Sequence, residues 1–274
     1  MSIHTEPLQN ITMFAGGTYS LTTKGAEYVI NAAVPIVLEA LDSMKISKNQ
    51  NVFTFSDMGT ADGETSLKMV ESFINFLQKN SPGISINVVY ADQPKNDFNG
   101  LVQTVLGLGH FPSYLEKTKN VYPLFSANSF YKHILPDNTL DFGFSATAMH
   151  WLSNKPCDIS HHVHMVGAEG EEYLCFAEQG KKDWETILLN RARELRSGGQ
   201  LILLNFCCDE NGKYLGNTTG VNMFTNFAQI WQDFMAQGRI GPEEYRRMTL
   251  PQYYNTVEEF SAPFKKTESP VYCA

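Results

Sequence analysis

The chain has 274 residues, of which 43% are hydrophobic and 18% charged, and it carries a formal net charge of −8 with a pI near 5.4. This length suits one large domain or a domain with a cap, and we expect the second arrangement. The acidic balance argues against nucleic acid or an anionic membrane as a partner, because both attract basic faces. No signal-peptide pattern and no apolar run of transmembrane length is visible, so we expect a cytoplasmic protein that acts on a small molecule.

The cysteines and the histidine cluster do not predict a metal site. The cysteines are odd in number and lack C-x-x-C spacing, so we expect reduced, structural thiols. The cluster His161-His162-x-His164 lacks a partnered Cys or carboxylate at a recognised spacing, and we expect it on the surface of a cap rather than on a metal ion. The five cysteines are Cys157, Cys175, Cys207, Cys208 and Cys273.

Strands and helices alternate along the sequence, and this order predicts an α/β fold with a doubly wound, mostly parallel sheet. The predicted elements are a helix at 24–44 capped by Thr22 or Thr23, a strand at 51–57, a helix at 64–79, a strand at 84–92, a short helix ending at 108, strands at 123–125 and 140–147, a helix at 183–196 closed by Ser197-Gly198-Gly199, a fully buried strand at 200–206 and a helix at 221–237.

Two segments do not extend the alternation and are rich in aromatic residues, so we expect them to cover the strand ends as a helical cap. They are residues 156–182 and 211–264. The α/β core is then expected at 1–155 and 183–210, and residues 265–274 are expected to begin a C-terminal part that is short or built differently.

The loop after the first strand predicts the kind of ligand. Gly59 and Gly63 allow a close approach of backbone to ligand at the carboxyl end of the strand. Neither G-x-G-x-x-G nor a P-loop is present, and Asp57 and Asp62 would repel a pyrophosphate. The next strand also ends in an acid, Asp92, where ribose hydroxyls would be bound. These features favour S-adenosylmethionine, although strand-end turn residues are the plainer interpretation of each acid alone.

Four motifs in order carry a family resemblance. Residues 91–99, A-D-Q-P-K-N-D-F-N, resemble N-D-L-P-x-N-D-F-N, and residues 129–131 resemble S-F-Y. Residues 148–153, A-M-H-W-L-S, resemble L-H-W-L-S, and residues 235–240 resemble M-V-x-E-G-L-I. These are motifs of the plant-type carboxyl methyltransferases, the SABATH family, which methylate acids such as salicylate, benzoate and jasmonate and include the caffeine synthases. The resemblance covers the chain from 13 to 263 and implies a Rossmann-like methyltransferase sheet.

The resemblance implies roles for single residues. Asp57 and Gly59 match the family's D-x-G at the methionine end of the cofactor, and Asp92 matches the acid that binds the ribose. Phe130 matches a residue beside the adenine, although a plain core aromatic is the alternative. The predicted S-adenosylmethionine contacts are Tyr19, Thr23, Asp57, Gly59, Asp62, Asp92, Gln93, Ser129, Phe130 and Ser145.

The predicted acceptor site follows from the same resemblance. His150 and Trp151 match its floor, where the Trp indole N–H donates to the substrate carboxylate. The family's second carboxylate donor, a glutamine, falls on Ala26 here. We therefore expect Tyr19 and Gln9 as polar candidates for that role. The plainer interpretation makes His150 a structural histidine and Trp151 a core aromatic.

The implied reaction needs few dedicated catalytic residues. A carboxylate is already ionised at neutral pH, so methyl transfer to it needs proximity, orientation and exclusion of water rather than a general base. We predict no catalytic acid or base, a small carboxylic acid as substrate, and a homodimer. Two alternatives stay open, namely methylation of a ring nitrogen and a homologue that binds the cofactor without turnover.

Overall fold

The computed structural model describes residues 18–109, 111–218 and 220–265, and these residues divide into two compact units. The first, which we call the sheet unit, takes its described residues from Thr12–Ala148 and Leu189–Leu204. The second, which we call the aromatic unit, takes them from Met149–Leu188 and Asn205–Ala274. The functional division into a cofactor-binding core and a cap stays a prediction.

The sheet unit is built on five parallel strands in the order β3-β2-β1-β4-β5. The central strand β1 (Val52–Met58) pairs with β2 (Ser85–Ala91) on one side and β4 (Leu140–Ala146) on the other; β3 (Val121–Ser126) and β5 (Leu195–Leu204) lie outside these. The predicted fold class is confirmed. Because the strands are parallel, their carboxyl ends share one edge of the sheet, and the loops that carry the predicted cofactor residues follow those ends.

Among the described residues, four helices lie wholly within the sheet unit, and a fifth has residues in both units. The predicted helices at 24–44 and 64–79 are confirmed. The helix α2 begins after Thr23, whose side chain makes no capping hydrogen bond. A one-turn helix precedes it that the sequence did not predict. The five are α1 (Thr18–Thr22), α2 (Lys24–Ser43), α3 (Leu67–Asn80), α4 (Phe98–Val105) and α5 (Gly170–Glu194).

Aromatic rings fill the space between α3 and the sheet. Phe73 of α3 lies with its ring centroid 4.6 Å from that of Phe55 in β1 and 5.0 Å from that of Phe142 in β4. All three side chains are fully buried. Such pairs add about 0.5–1.5 kcal/mol each beyond the burial of apolar area. They hold β1 and β4 in place under the loops that follow them.

Helix α5 is longer than predicted, since it begins at Gly170 rather than near Asp183. The prediction treated the preceding residues as cap material, but nothing in them breaks a helix. The interior glycine, Gly180, has a packing role: a Cβ there would lie 2.4 Å from Cδ1 of Tyr253. The glycine therefore lets an aromatic ring pack directly on the helix backbone.

The last strand also differs from the prediction. β5 begins at Leu195, so Gly198 and Gly199 lie inside the strand instead of closing a helix, and the pairing with β4 shifts register between Leu140 and Phe142. The residues 201–204, expected to be fully buried, are half-buried. The reason is that β5 pairs with β4 alone among the described strands.

The aromatic unit is mostly helical and packs around rings. Phe176, Phe224 and Tyr254 lie in its main cluster, and His164 stacks on Phe224 with ring centroids 3.9 Å apart. The expectation of a surface position for the histidine cluster was wrong for His162 and His164, which are 9% and 0% exposed. Its helices and short strands are β6 (Asn217–Thr218), β7 (Val221–Asn222), α6 (Met223–Ala236), α7 (Pro242–Arg247) and α8 (Val257–Lys265).

Among the described helices, none has both the length and the apolar character that crossing a membrane requires.

Candidate active site

The central strand ends in a buried carboxylate. Asp57 is 4% exposed, and its Oδ2 accepts hydrogen bonds from Thr60 Oγ1 at 3.0 Å and Ser66 Oγ at 2.6 Å. Burial raises the pKa of Asp57 to about 6; the two hydroxyl donors oppose this shift, and the nearby Asp92 carboxylate adds to it. A positive charge nearby would favour the ionised form. This strand end therefore suits a cationic ligand.

The turn after β1 requires glycine at position 59. Its φ is +76°, and a Cβ there would lie 2.4 Å from Cβ of Ala148 and 3.7 Å from Cε1 of Phe130. The backbone of the loop thus lies against the residues that follow β4 and β3. A side chain at this position would separate the strand ends that carry the predicted cofactor residues.

Asp92 fastens the end of β2 to the loop after β1. Its Oδ2 accepts the Ala61 N–H at 2.7 Å and its Oδ1 accepts the Gln93 N–H at 2.7 Å, while Asn96 Nδ2 donates to the Ala61 carbonyl at 2.7 Å. Burial raises the pKa of Asp92, and the two backbone donors lower it. Each carboxylate oxygen has a second lone pair, so Asp92 can accept two further hydrogen bonds.

The short helix α1 is fastened at two points. The Ser20 N–H donates to Asp62 Oδ2 at 2.9 Å, and the Ser20 hydroxyl donates to Asp62 Oδ1. The Thr147 side chain, just after β4, lies close enough to the Tyr19 side chain to lower its pKa. Burial raises the pKa of Tyr19, Thr147 lowers it, and the carboxylates of Asp62 and Asp92 raise it further. Three of the predicted cofactor residues are thereby brought together.

A buried ion pair holds the segment after β3. Arg191 and Glu194 are both 0% exposed, with Nη2 2.7 Å from Oε1. The same guanidinium donates to the carbonyl oxygens of Phe130 at 2.9 Å and Lys132 at 2.8 Å. Phe130 and its neighbour Ser129, the predicted adenine contacts, are half-buried on this segment. The ion pair therefore sets where these two residues lie.

The other predicted residues have mixed surroundings. Ser145 is 1% exposed and its hydroxyl donates to the Met58 carbonyl at 2.7 Å, so a ligand could use it only as an acceptor. Thr23 is half-buried, and its N–H donates to the Tyr19 carbonyl at 2.8 Å. Ala26 is buried on α2 at 5% exposure. Gln9 lies outside the described residues.

The predicted acceptor residues belong to the aromatic unit. His150 is 5% exposed, and its ring lies 4.8 Å from that of Phe206, 5.6 Å from that of Tyr254 and 5.8 Å from that of Trp151. Among the described groups, none makes a hydrogen bond to its Nδ1. Burial lowers the pKa of His150 to about 3, helped by the neighbouring His164. The imidazole is therefore neutral at physiological pH and lies in an aromatic wall.

The neighbouring histidines have structural contacts. The ring Nε2 of His164 lies 3.0 Å from Gln252 Oε1, and Nδ1 of His162 lies 2.9 Å from the His164 carbonyl. Throughout the part of the chain that the structure describes, no three His, Cys, Asp or Glu side chains are grouped so as to hold a metal ion.

Sequence reasoning missed several residues that position the site. Asn96 lies in the motif at residues 91–99, but the sequence did not predict its hydrogen bond to the Ala61 carbonyl. Ser20 follows Tyr19 directly, but nothing in the sequence pairs it with an acid 42 positions later. Arg191 has the spacing of an ordinary helix-surface charge. Thr147 has a φ of +51°, and such a backbone strain has no sequence signal.

The fold and the acidic strand ends define a Rossmann-like methyltransferase. The structure of loganic acid methyltransferase with SAH resembles this chain with a TM-score of 0.80 at 20% identity, covering 93% of this chain and 75% of that chain. This likeness shows the fold.

Sequence comparison identifies the family. The SAM-dependent carboxyl methyltransferase family matches residues 15–269, and this chain belongs to that family. Its cofactor is S-adenosylmethionine, and its reaction is methylation of the carboxylate of a small organic acid. Two similar proteins come from Arabidopsis thaliana. Gibberellic acid methyltransferase 2 is 27% identical over 94% of this chain and 72% of its own length. Farnesoic acid carboxyl-O-methyltransferase is 27% identical over 91% of this chain and 74% of its own length. Methyltransferase LUC1 of Fusarium sp is 28% identical over 93% of this chain and 67% of its own length.

The neutral state of His150 makes the folded protein sensitive to acid. Its pKa in the folded protein lies below its ordinary value of 6.5, so its contribution to stability is present above that value and is lost as the pH falls. Between about pH 7.5 and about pH 5.5 this loss amounts to about 1.4 kcal/mol. In urea unfolding, the free energy of unfolding of the wild type should fall between these two pH values by about 1.4 kcal/mol more than that of His150→Phe.

The control for this measurement is Gln103→Ala, since Gln103 is exposed and carries no titratable group. Its pH response should equal that of the wild type, because the substitution adds and removes no titratable side chain. An identical pH response in His150→Phe and the wild type would show that folding does not lower the pKa of His150.

Proposed function

We propose that the carboxyl ends of β1 and β2 bind S-adenosylmethionine, and that His150 and Trp151 bind the acid that is methylated. The observation that carries the first half is the pair of acceptor carboxylates at the strand ends, Asp57 and Asp92. In the described ranges, neither carboxylate forms an ion pair with Lys, Arg or His. Such acids suit a ligand with cationic groups and ribose hydroxyls, and they repel a pyrophosphate.

Each part of the cofactor has a partner in this proposal. Asp57, whose pKa burial raises, gains most from a positive charge and is assigned to the methionine end. Asp92 has two free lone pairs and is assigned to the two ribose hydroxyls. Phe130 and Ser129, held by Arg191, are assigned to the adenine.

Bound S-adenosylmethionine supplies a methyl group on a positively charged sulfur. The chain then has to hold the acceptor carboxylate, orient it and keep water away, which together provide roughly 7–11 kcal/mol in favourable cases. No residue has to remove a proton from an ionised acid. His150 matches this requirement, because a side chain with a pKa of about 3 is a weak base.

The surroundings of His150 indicate the class of acceptor. The rings of Trp151, Phe206 and Tyr254 form an apolar wall around a neutral imidazole. We therefore assign an acid with an apolar or ring-containing body, in line with the gibberellic and farnesoic acids named for similar proteins. Ala26, in place of the expected glutamine, leaves room for a ring-nitrogen acceptor, but such an acceptor needs a base that His150 does not supply.

Replacing Asp92 should weaken cofactor binding. Asp92→Ala removes two hydrogen bonds from ribose hydroxyls to a charged acceptor, which costs on the order of 1.5–3 kcal/mol, or roughly ten- to a hundredfold in the dissociation constant. Isothermal titration calorimetry with S-adenosylmethionine measures this. Asp42→Ala, an exposed acid on α2, is the control and should bind normally. An unchanged dissociation constant in Asp92→Ala, or tight binding of NAD by the wild type, would contradict the proposed site.

Replacing Trp151 should lower the activity on the acceptor acid without weakening the binding of the cofactor. Trp151→Phe keeps an aromatic ring and removes the indole N–H, leaving a partly buried carboxylate without that donor at a cost of about 1–3 kcal/mol. We expect kcat/KM for the best acid in a panel of carboxylic acids to fall roughly ten- to a hundredfold, with an unchanged dissociation constant for S-adenosylmethionine.

The control for Trp151 is Trp184→Phe, because Trp184 Nε1 donates to the Phe260 carbonyl at 3.0 Å and has a structural partner. It should lower the stability and leave kcat/KM near the wild-type value. Full activity of Trp151→Phe would move the acceptor site away from this loop.

We also propose that the protein forms a homodimer. The exposed side of α2 carries several apolar side chains, with Tyr28 at 76%, Val29 at 37% and Ile36 at 58% exposure. Faces of this kind are often covered in symmetric dimers. Light scattering should return about twice 30.8 kDa at micromolar concentration, and a mass of 30.8 kDa would contradict the proposal. The cytoplasmic location stays a prediction.

A further inference from the structure

The helix α1 has an unusual anchor for an element of only five residues. Ser20 is 1% exposed, and both of its polar hydrogens go to one carboxylate: the N–H to Asp62 Oδ2 at 2.9 Å and the hydroxyl to Asp62 Oδ1. Asp62 is itself 8% exposed. Hydrogen bonds to a buried charged acceptor are among the stronger ones in proteins. We call this pair of bonds the Ser20–Asp62 latch.

The latch acts next to a residue of the candidate site. Tyr19 precedes Ser20. Burial raises the pKa of Tyr19, the Thr147 side chain beside it lowers that pKa, and the charges of Asp62 and Asp92 raise it further. The helix thus joins the loop after β1, through Asp62, to the residues after β4, through Thr147. Because β1 and β4 are neighbouring strands, α1 bridges two adjacent strand ends.

We propose that Asp62 is a positioning residue, which acts through Ser20 to hold Tyr19 at the cofactor site, rather than a residue that touches the cofactor. The argument rests on the direction of its oxygens. Both accept hydrogen bonds from one residue of α1, Ser20, so the carboxylate faces this helix, whereas Asp92 directs its oxygens to backbone N–H groups of the loops that follow β1 and β2. This inference rests on the proposed function, which assigns Tyr19 to the ligand site.

A direct test measures whether Asp62 holds the helix, independently of activity. Hydrogen–deuterium exchange of a peptide that covers residues 18–23 should become at least about tenfold faster in Asp62→Asn, because an amide is uncharged and its single oxygen can accept only one of the two Ser20 hydrogens. Ser20→Ala, the milder variant, should give a smaller increase in the same peptide. Exchange of α3 should be unchanged in both.

A double-mutant cycle tests the link to Tyr19. Asp62→Asn and Ser20→Ala should each lower kcat/KM for S-adenosylmethionine, by about tenfold and by a few-fold, and the double variant should be no worse than Asp62→Asn alone. Adding Ser20→Ala to Tyr19→Phe should cause no further loss, since the latch would then have nothing to position. Leu21→Ala, on the exposed side of α1, is the control and should match the wild type in both measurements.

Two outcomes would overturn the latch. In the first, Asp62→Asn weakens S-adenosylmethionine binding while exchange of residues 18–23 stays at the wild-type rate, which would make Asp62 a cofactor ligand. In the second, the losses from Ser20→Ala and Asp62→Asn add fully, which would mean that the two residues act independently. If Tyr19→Phe alone keeps full kcat/KM, the proposed assignment of Tyr19 fails, and the exchange result still decides whether Asp62 holds α1.

Discussion

The candidate cofactor site depends on a buried ion pair, Arg191–Glu194, which holds the backbone of the segment that carries Phe130. Arg191 and Glu194 lie one turn apart in α5 and are fully buried, and between them they make hydrogen bonds to Phe130, Lys132 and Ile134 of the connection between β3 and β4. Removing two charges from water is costly, and the cost is recovered only when the remaining donors and acceptors are also used. Here the backbone of the connection uses them. Loss of one partner would leave a buried charge and an unsupported loop at the same time.

Three carboxylates at the strand ends illustrate how one residue type takes different roles. Asp57 accepts from two hydroxyls of its own loop, Asp92 accepts from two backbone N–H groups, and Asp62 accepts from a serine of α1. Asp57 and Asp92 lie at the ends of β1 and β2, whereas Asp62 directs both of its oxygens to α1. Burial raises the pKa of Asp57 and of Tyr19, and repulsion by neighbouring carboxylates adds to both shifts. A cationic ligand would relieve this repulsion, so binding and folding are coupled through the same groups.

Much of the sheet could be predicted from the sequence because the signals are local. The strands that end in Asp57 and Asp92 have apolar runs followed by turn residues, and both lie where the pattern predicted. The start of α5 was predicted too late because residues 170–182, which include Gly180, were assigned to the cap. The role of Gly180 within the helix depends on a contact with Tyr253, which is distant in sequence. The strand β5 was expected to be buried from its leucines alone, although burial depends on how many strands flank it. In the site, single residues were found through motifs, whereas the bonds of Ser20, Thr147 and Arg191 depend on tertiary contacts.

Gly180, in the middle of α5, influences the position of His150, a proposed acceptor residue, through its contact with Tyr253. The ring of Tyr253 packs on the backbone at Gly180, and the Tyr253 N–H donates to the His150 carbonyl at 2.9 Å. Any side chain at position 180 would push this tyrosine away and carry the His150 backbone with it. Under the proposed assignment of His150 and Trp151 to the acceptor, a substitution at position 180 would change which acids are accepted without altering a residue that contacts them. Variants of the aromatic wall alone would not reveal this effect.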